Sequence, residues 1–99
     1  MSKNIAVVLS GCGFKDGAEI QESVLTLLAL DKQGASYQCF APDIEQRFVH
    51  DHYKDEGVEE TRNVLVESAR IARCNIKPLT DFNADDFDGI ISPVVLVRL

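Results

Sequence analysis

Asn4-Ile5-Ala6-Val7-Val8-Leu9-Ser10-Gly11-Cys12-Gly13 is the stretch that decides the fold, together with the apolar-periodic segment that follows it to Leu30. A short run of aliphatic residues, a loop of small residues, and then apolar positions at 3.6-residue spacing read as buried strand, tight loop and helix. This is the first βα unit of an α/β domain. Residues 4–9 are apolar almost throughout, as suits a central parallel strand covered on both faces. The C-terminal edge of such a strand is where ligands bind in open α/β sheets. Chemistry is therefore expected near Gly11, Cys12, Gly13 and Glu22, the last lying on the first turns of the helix.

Further elements follow outward from this unit. The first helix is expected over 16–33, with Ile20, Val24, Leu27 and Leu28 as its inner stripe. Gly34 suits a left-handed helix end. A second strand is expected over 36–41, stopped by Pro42. Residues 43–60 form a long connection that carries Phe48, Val49, His50, His52 and Tyr53, with room for a short strand near 48–50. Long loops in compact domains are often functional or partner-facing. A second helix beginning near Glu59 or Thr61 carries Val64, Leu65, Ser68, Ala69, Ile71 and Ala72 on one stripe, with Arg70 and Arg73 at its cation-favouring end. A third strand over 75–79 holds Pro78, which points to a sheet edge. A turn over 81–88 and a fourth strand over 89–92 complete an α/β, flavodoxin-like open parallel sheet with helices on both faces, cut short before completion.

Ninety-nine residues allow one small domain,. The apolar fraction of 45% is that of a globular chain,. With 16 acids against 10 bases, the net charge of −6 argues against nucleic-acid or anionic-membrane partners,. Acids cluster at 55–60 and 81–88, read as solvated loops and helix ends. No apolar stretch approaches ~18 residues, so no membrane span is expected. Three cysteines with no Cys-x-x-Cys spacing and no presequence favour a reducing, cytoplasmic setting,.

Several constellations compete for the site. Gly11-x-Gly13 opens like a dinucleotide fingerprint, but Asp16 stands at the third glycine and the nearest strand-two acid, Asp43, comes later than the expected distance of about 20 residues. The glycines read better as a tight turn above the sheet. Cys12 lies near a helix N-terminus, which can lower a thiol pKa, yet a buried inert thiol is the better reading. Cys39 reads as core and Cys74 as incidental. His50-x-His52 has strand-pair spacing for a metal, but without a third ligand two exposed loop histidines are expected, and no metal. Glu19 reads as the solvent-facing acid of the first turn, and Glu22 on residue physics alone as a surface carboxylate.

Four blocks carry a family resemblance in order: Ile5-Ala6-Val7-Val8-Leu9-Ser10-Gly11-Cys12-Gly13, Asp16-Gly17-Ala18-Glu19-Ile20-Gln21-Glu22, Cys39-Phe40-Ala41-Pro42-Asp43 and Thr61-Arg62-Asn63-Val64-Leu65-Val66-Glu67. Together they resemble the start of ElbB-type proteins, in the ThiJ/PfpI branch of the class I glutamine amidotransferase-like superfamily. The resemblance implies a cofactor-independent glyoxalase, converting glyoxal to glycolate, or a deglycase, linked to isoprenoid biosynthesis. It also implies that Glu22 hydrogen-bonds a nucleophilic cysteine. That cysteine, on a strand-to-helix elbow, is expected beyond Leu99, and Cys12 is a feature of the first loop rather than the nucleophile. Residues 1–93 then form the N-terminal part of the domain, and 94–99 a tail outside the family pattern.

The family carries Gly-Gly-Phe-Gly-Ala-Ala after the strand-four proline, whereas Pro93 here precedes Val94-Val95-Leu96-Val97-Arg98-Leu99. Codons that can encode these six residues, GTG GTT TTG GTG CGG CTN, read GGT GGT TTT GGT GCG GCT with a single G restored in front, which spells the family stretch. Loss of one G is therefore the expected cause of the departure. The chain alone is expected to lack activity, and its apolar sheet edges to drive self-association or a homodimer. A binding or regulatory module using 43–60 as a partner surface is the alternative.

Overall fold

The computed structural model describes residues 3–93; the divergent stretch 94–99 and its expected origin lie outside the described residues. In chain order the strands are β1 (Asn4–Val8), β2 (Ser36–Ala41), β3 (Glu45–Gln46), β4 (Val49–Asp51), β5 (Glu56–Val58), β6 (Arg62–Asn63), β7 (Ile76–Pro78) and β8 (Gly89–Ile91). Helix α1 (Ile20–Lys32) joins β1 to β2, and α2 (Val64–Ala72) precedes β7. Four parallel strands form the central sheet in the order β7-β2-β1-β8. β1 pairs with β2 from Asn4↔Ser36 to Val8↔Phe40 and with β8 from Ile5↔Gly89 to Val7↔Ile91. Pro78 ends β7 at the sheet edge, where its missing N–H costs no ladder bond,.

The crossovers from β1 to β2 and from β2 to β7 step the same way across the sheet, so the right-handed rule puts both helices on one face,. Val7, Leu9, Cys39, Ala18 and Ile71 form the buried cluster on that face, joined by Leu27 and Leu30 of α1. The opposite face is closed by aromatic rings. Phe40, the next residue along β2, meets Phe82 and Phe87 edge-on at centroid distances of 5.4 and 5.6 Å. Those phenylalanines flank two 3-10 turns, Leu79–Asp81 and Ala84–Asp86. Helical cover of this second face is not found among the described residues.

The flavodoxin-like parallel sheet expected from the sequence is thus present, with corrections at the helices. α1 starts at Ile20 rather than near Asp16, because residues 10–19 are tied into a closed loop. Ala18 N–H donates to Ser10 O at 3.1 Å, Gly13 N–H to Ala18 O at 3.1 Å, and Ile20 N–H to Gly13 O at 3.0 Å. Glu19 caps the helix, its carboxylate accepting from the Gln21 and Glu22 N–H groups, so it is not simply a solvent-facing acid. The inner stripe of α1 also differs. Ile20, Val24 and Leu28 are exposed, and the buried face runs through Ser23, Leu27 and Leu30 at i, i+4 and i+7. Ser23 fits there because its small side chain permits close packing and its hydroxyl donates back to Glu19 O at 2.7 Å.

α2 begins at Val64 because β6 pairs antiparallel with β3. Asn63 caps it, accepting from the Val66 N–H at 2.9 Å. Val64, Ser68 and Ile71 of the expected stripe are buried. The 43–60 connection carries a separate hairpin of β4 and β5, where the sequence suggests a single short strand.

Candidate functional site

β1 reverses into the loop Ser10-Gly11-Cys12-Gly13 at the C-terminal edge of the sheet, and β8 lies on the opposite side of β1 from β2. A point where neighbouring connections diverge is the favoured ligand crevice of an open α/β sheet. Two elements fix the loop. Gly11 adopts φ +90°, a left-handed value that a side chain resists,. Its N–H donates to the Ser68 hydroxyl at 2.8 Å, and that hydroxyl donates to Val64 O at 2.7 Å. Ser68 is fully buried on α2, so the bond ties the loop to the second helix. Gly17 lies against the loop backbone, where any Cβ would fall 2.6 Å from Cys12 N.

Cys12 is half-buried against the core cluster. Burial pushes its thiol above the ordinary value; Arg70 pulls the other way, and Glu67 and Asp16 add to the rise. A thiol held protonated is a poor nucleophile, in line with the expectation that Cys12 is a loop feature. Cys39 lies in the core with its thiol pushed up to about 11 by burial. Cys74 is exposed, just past α2.

Glu22 sits in the first turn of α1, exposed, with its backbone N–H on Glu19 Oε2 at 2.5 Å. Because Gly13 O receives the Ile20 N–H, the helix start that carries Glu22 is stitched directly to the cysteine loop. Gly11, Cys12, Gly13 and Glu22, singled out from the sequence, therefore lie on one continuous unit.

Sequence reasoning missed the surrounding polar groups. Glu67 is nearly buried and holds Arg62 Nη1 at 3.2 Å and Arg70 Nη1 at 3.7 Å. The Asp16 side chain is only 2% exposed, and Gln46 is buried with its amide donating to Phe48 O at 2.7 Å. A residue three or four positions into a helix, flanked by arginines five residues before and three after, was the one available signal for Glu67. His50 also departs from expectation. Its side chain is 13% exposed and meets Asp55 Oδ1 at 2.9 Å, whereas His52 is 40% exposed. Among the described residues no cluster of three or more His, Cys, Asp or Glu side chains could hold a metal. A cleft of about 250 Å³ lies beside the loop, lined by Ser10, Asp16, Gln46 and Phe48 among others.

Comparison with known proteins agrees with the fold. No family model matches the chain. A human protein, "Glutamine amidotransferase-like class 1 domain-containing protein 3, mitochondrial", is 50% identical over 90 residues, which span 90% of this chain and 34% of that protein. The zebrafish (Danio rerio) "ES1 protein, mitochondrial" is 40% identical over 95 residues, spanning 91% of this chain and 35% of that one. A solved structure from Ehrlichia chaffeensis, described as an isoprenoid biosynthesis protein with amidotransferase-like domain, superposes with a TM-score of 0.89 at 48% identity, covering 91% of this chain and 43% of that one. The chain belongs to the class I glutamine amidotransferase-like superfamily. It spans about a third of the length of the curated relatives it matches. Among the described residues no helix is long and apolar enough to cross a membrane.

Proposed function

We propose that the whole protein to which this amidotransferase-like chain corresponds is an ElbB-type, cofactor-independent glyoxalase or deglycase acting on small dicarbonyls in a reducing, cytoplasmic setting. The observation that carries the reading is the bond from Ile20 N–H to Gly13 O, which fixes the start of α1, two residues before Glu22, to the Gly11-Cys12-Gly13 loop at the C-terminal edge of β1. In the proposed reaction a cysteine thiolate adds to an aldehyde carbon and forms a hemithioacetal. Glu22 in its protonated form donates a hydrogen bond that keeps the sulfur anionic and nucleophilic. Glu22 passes its proton to the hemithioacetal oxygen, and the resulting carboxylate moves the C–H proton to the neighbouring carbonyl carbon through an enediol; water cleaves the thioester so formed into the hydroxy acid and the free thiol. Likeness to the Ehrlichia isoprenoid biosynthesis protein supports a further link to that metabolism.

None of the three cysteines here suits the nucleophile's task. Cys12 is held protonated, Cys39 is buried in the core, and Cys74 lies past α2, far from β1 in sequence. The chain by itself is therefore expected to be inactive. The test is glyoxal consumption and glycolate formation by the purified chain, with Glu22→Gln and Cys12→Ser beside it. No turnover is expected from any of the three; turnover abolished by Cys12→Ser would overturn the assignment.

A further inference from the structure

Among the described residues the β4–β5 hairpin pairs only with itself, yet it is fastened to the β1–α1 loop by a compact polar clasp. His50 N–H donates to Asp16 Oδ2 at 2.8 Å. Lys15 N–H donates to His52 Nε2 at 3.4 Å, and the same Nε2 lies 3.4 Å from Asp16 Oδ1. Lys15 Nζ pairs with Asp55, which also receives His50 Nε2 at 2.9 Å. The two imidazoles meet edge-on at 5.2 Å. The clasp bears directly on the site loop. A side chain at Gly13 would collide with Asp16 Oδ1 and lie 3.3 Å from His52 Cε1.

The hydrogen bonding around His52 is incomplete. With Nε2 accepting from Lys15, Asp16 Oδ1 is a buried carboxylate oxygen without a donor. An unsatisfied buried acceptor is costly, and a donor on a cation is the strongest remedy. We infer that the hairpin is a proton-operated strap: uptake of a proton by His52 turns Nε2 from acceptor of the Lys15 N–H into donor to Asp16 Oδ1, and fastens β4–β5 over the Gly11-Cys12-Gly13 loop.

The charged surroundings set the limits of this device. From the loop, His52 faces the Asp16 carboxylate and the Lys15 backbone, with the Lys15 ammonium engaged on Asp55. From its own hairpin it faces His50. Asp51 is occupied by the Tyr53 and Lys54 N–H groups. From β6, Arg62 acts on Asp16 at longer range. Asp55, held down to about 2 by its bonds to Lys15 and His50, stays anionic across the range in which imidazoles titrate,. A second proton on His50 places two cations 5.2 Å apart and opposes closure. Tightening is therefore a one-proton event at His52.

The strap is independent of catalysis, so its test needs no substrate. Amide hydrogen exchange of the full 99-residue chain, corrected for intrinsic rates, is followed from about pH 8 to about pH 5.5, the window in which histidines change charge,. Protection of the His50 N–H, which rests on Asp16, is expected to rise about tenfold on acidification, while the Lys15 N–H resonance moves as it loses its acceptor. His52→Gln, which keeps a donor and an acceptor without the charge, should flatten both responses. Amide dispersion in the same spectra reports that the variant is folded. Constant protection across the range overturns the inference, as does a step that persists in His52→Gln and vanishes in His50→Gln.

Discussion

Replacing Gly17 by alanine tests how tightly the site loop is built. A Cβ at this position would sit 2.6 Å from Cys12 N, 2.9 Å from Gly11 C and 3.2 Å from Cys12 C. All three are backbone atoms, so no side chain can swing aside. Ordinary van der Waals separation demands a displacement of nearly an ångström, and the loop is held on both sides. Gly11 N–H is bonded to buried Ser68, and Gly13 is bonded to Ala18 and Ile20. Overpacking of this kind costs about 1–3 kcal/mol. Against it stands a gain of about 0.4–1 kcal/mol from the stiffer unfolded chain. The net loss is centred on about 1.3 kcal/mol, within a span of about 0–2.6 kcal/mol, which for a domain of this size lowers Tm by roughly 5–10 °C at the centre. Urea and thermal unfolding followed by circular dichroism would measure it. Gly57→Ala is the comparator, since its nearest neighbour is Val49 O at 4.0 Å; that change should stay within about 0.5 kcal/mol of the parent. If Gly17→Ala proves as stable as Gly57→Ala, the loop is not packed as described.

Ser68→Ala removes the acceptor of the buried Gly11 N–H and should cost about 1–3 kcal/mol in the same unfolding assay, and Ser68→Thr, which keeps a hydroxyl, should lose less,. Asp55 is expected to titrate in the folded chain near 2, below its unfolded value of about 3.9,. Its folded pKa is depressed, so its stabilising contribution is present above the unfolded value and fades as pH falls through about 2,; a side-chain carbon titration with a midpoint near 3.9 would contradict the Lys15–Asp55 clasp. The exposed apolar face of α1, including Val24 at 49% and Leu25 at 61% exposure, together with Ile90 on β8, should drive self-association,. Sedimentation velocity should show it, weakened in Leu25→Lys; a concentration-independent monomer would speak against it.

The four strands of the central sheet were legible because their signal is local. An aliphatic run bounded by Gly11 or Pro42 states its own limits, and β2 fell on Ser36–Ala41 as expected. The helix starts were less so, because tertiary pairing set them. Asp16 looks the better cap by residue type, but the bonds from Ser10 to Ala18 and from Gly13 to Ile20 hold residues 16–19 in the loop. Likewise β3–β6 pairing, across the whole β4–β5 hairpin, delays α2. The stripe of α1 was misplaced because apolarity marks a face only when burial follows it. Ser23 is chosen for its size, and Ile20, Val24 and Leu28 face outward. The position of Gly11, Cys12, Gly13 and Glu22 in the first βα unit, at the C-terminal edge of β1, was readable from the sequence. Ser68, Glu67 and Asp16 were not, since their roles arise only when α2 and the hairpin fold back on the loop.

The reactivity of Cys12 tests the central claim most directly. With Cys39 and Cys74 replaced by serine, the rate of iodoacetamide alkylation is measured against pH in the folded chain. The account predicts a half-rise above that of an ordinary thiol, about 8.5, because burial holds Cys12 protonated. A half-rise near or below neutrality would show a thiolate poised for attack, and Cys12 would then be the nucleophile after all.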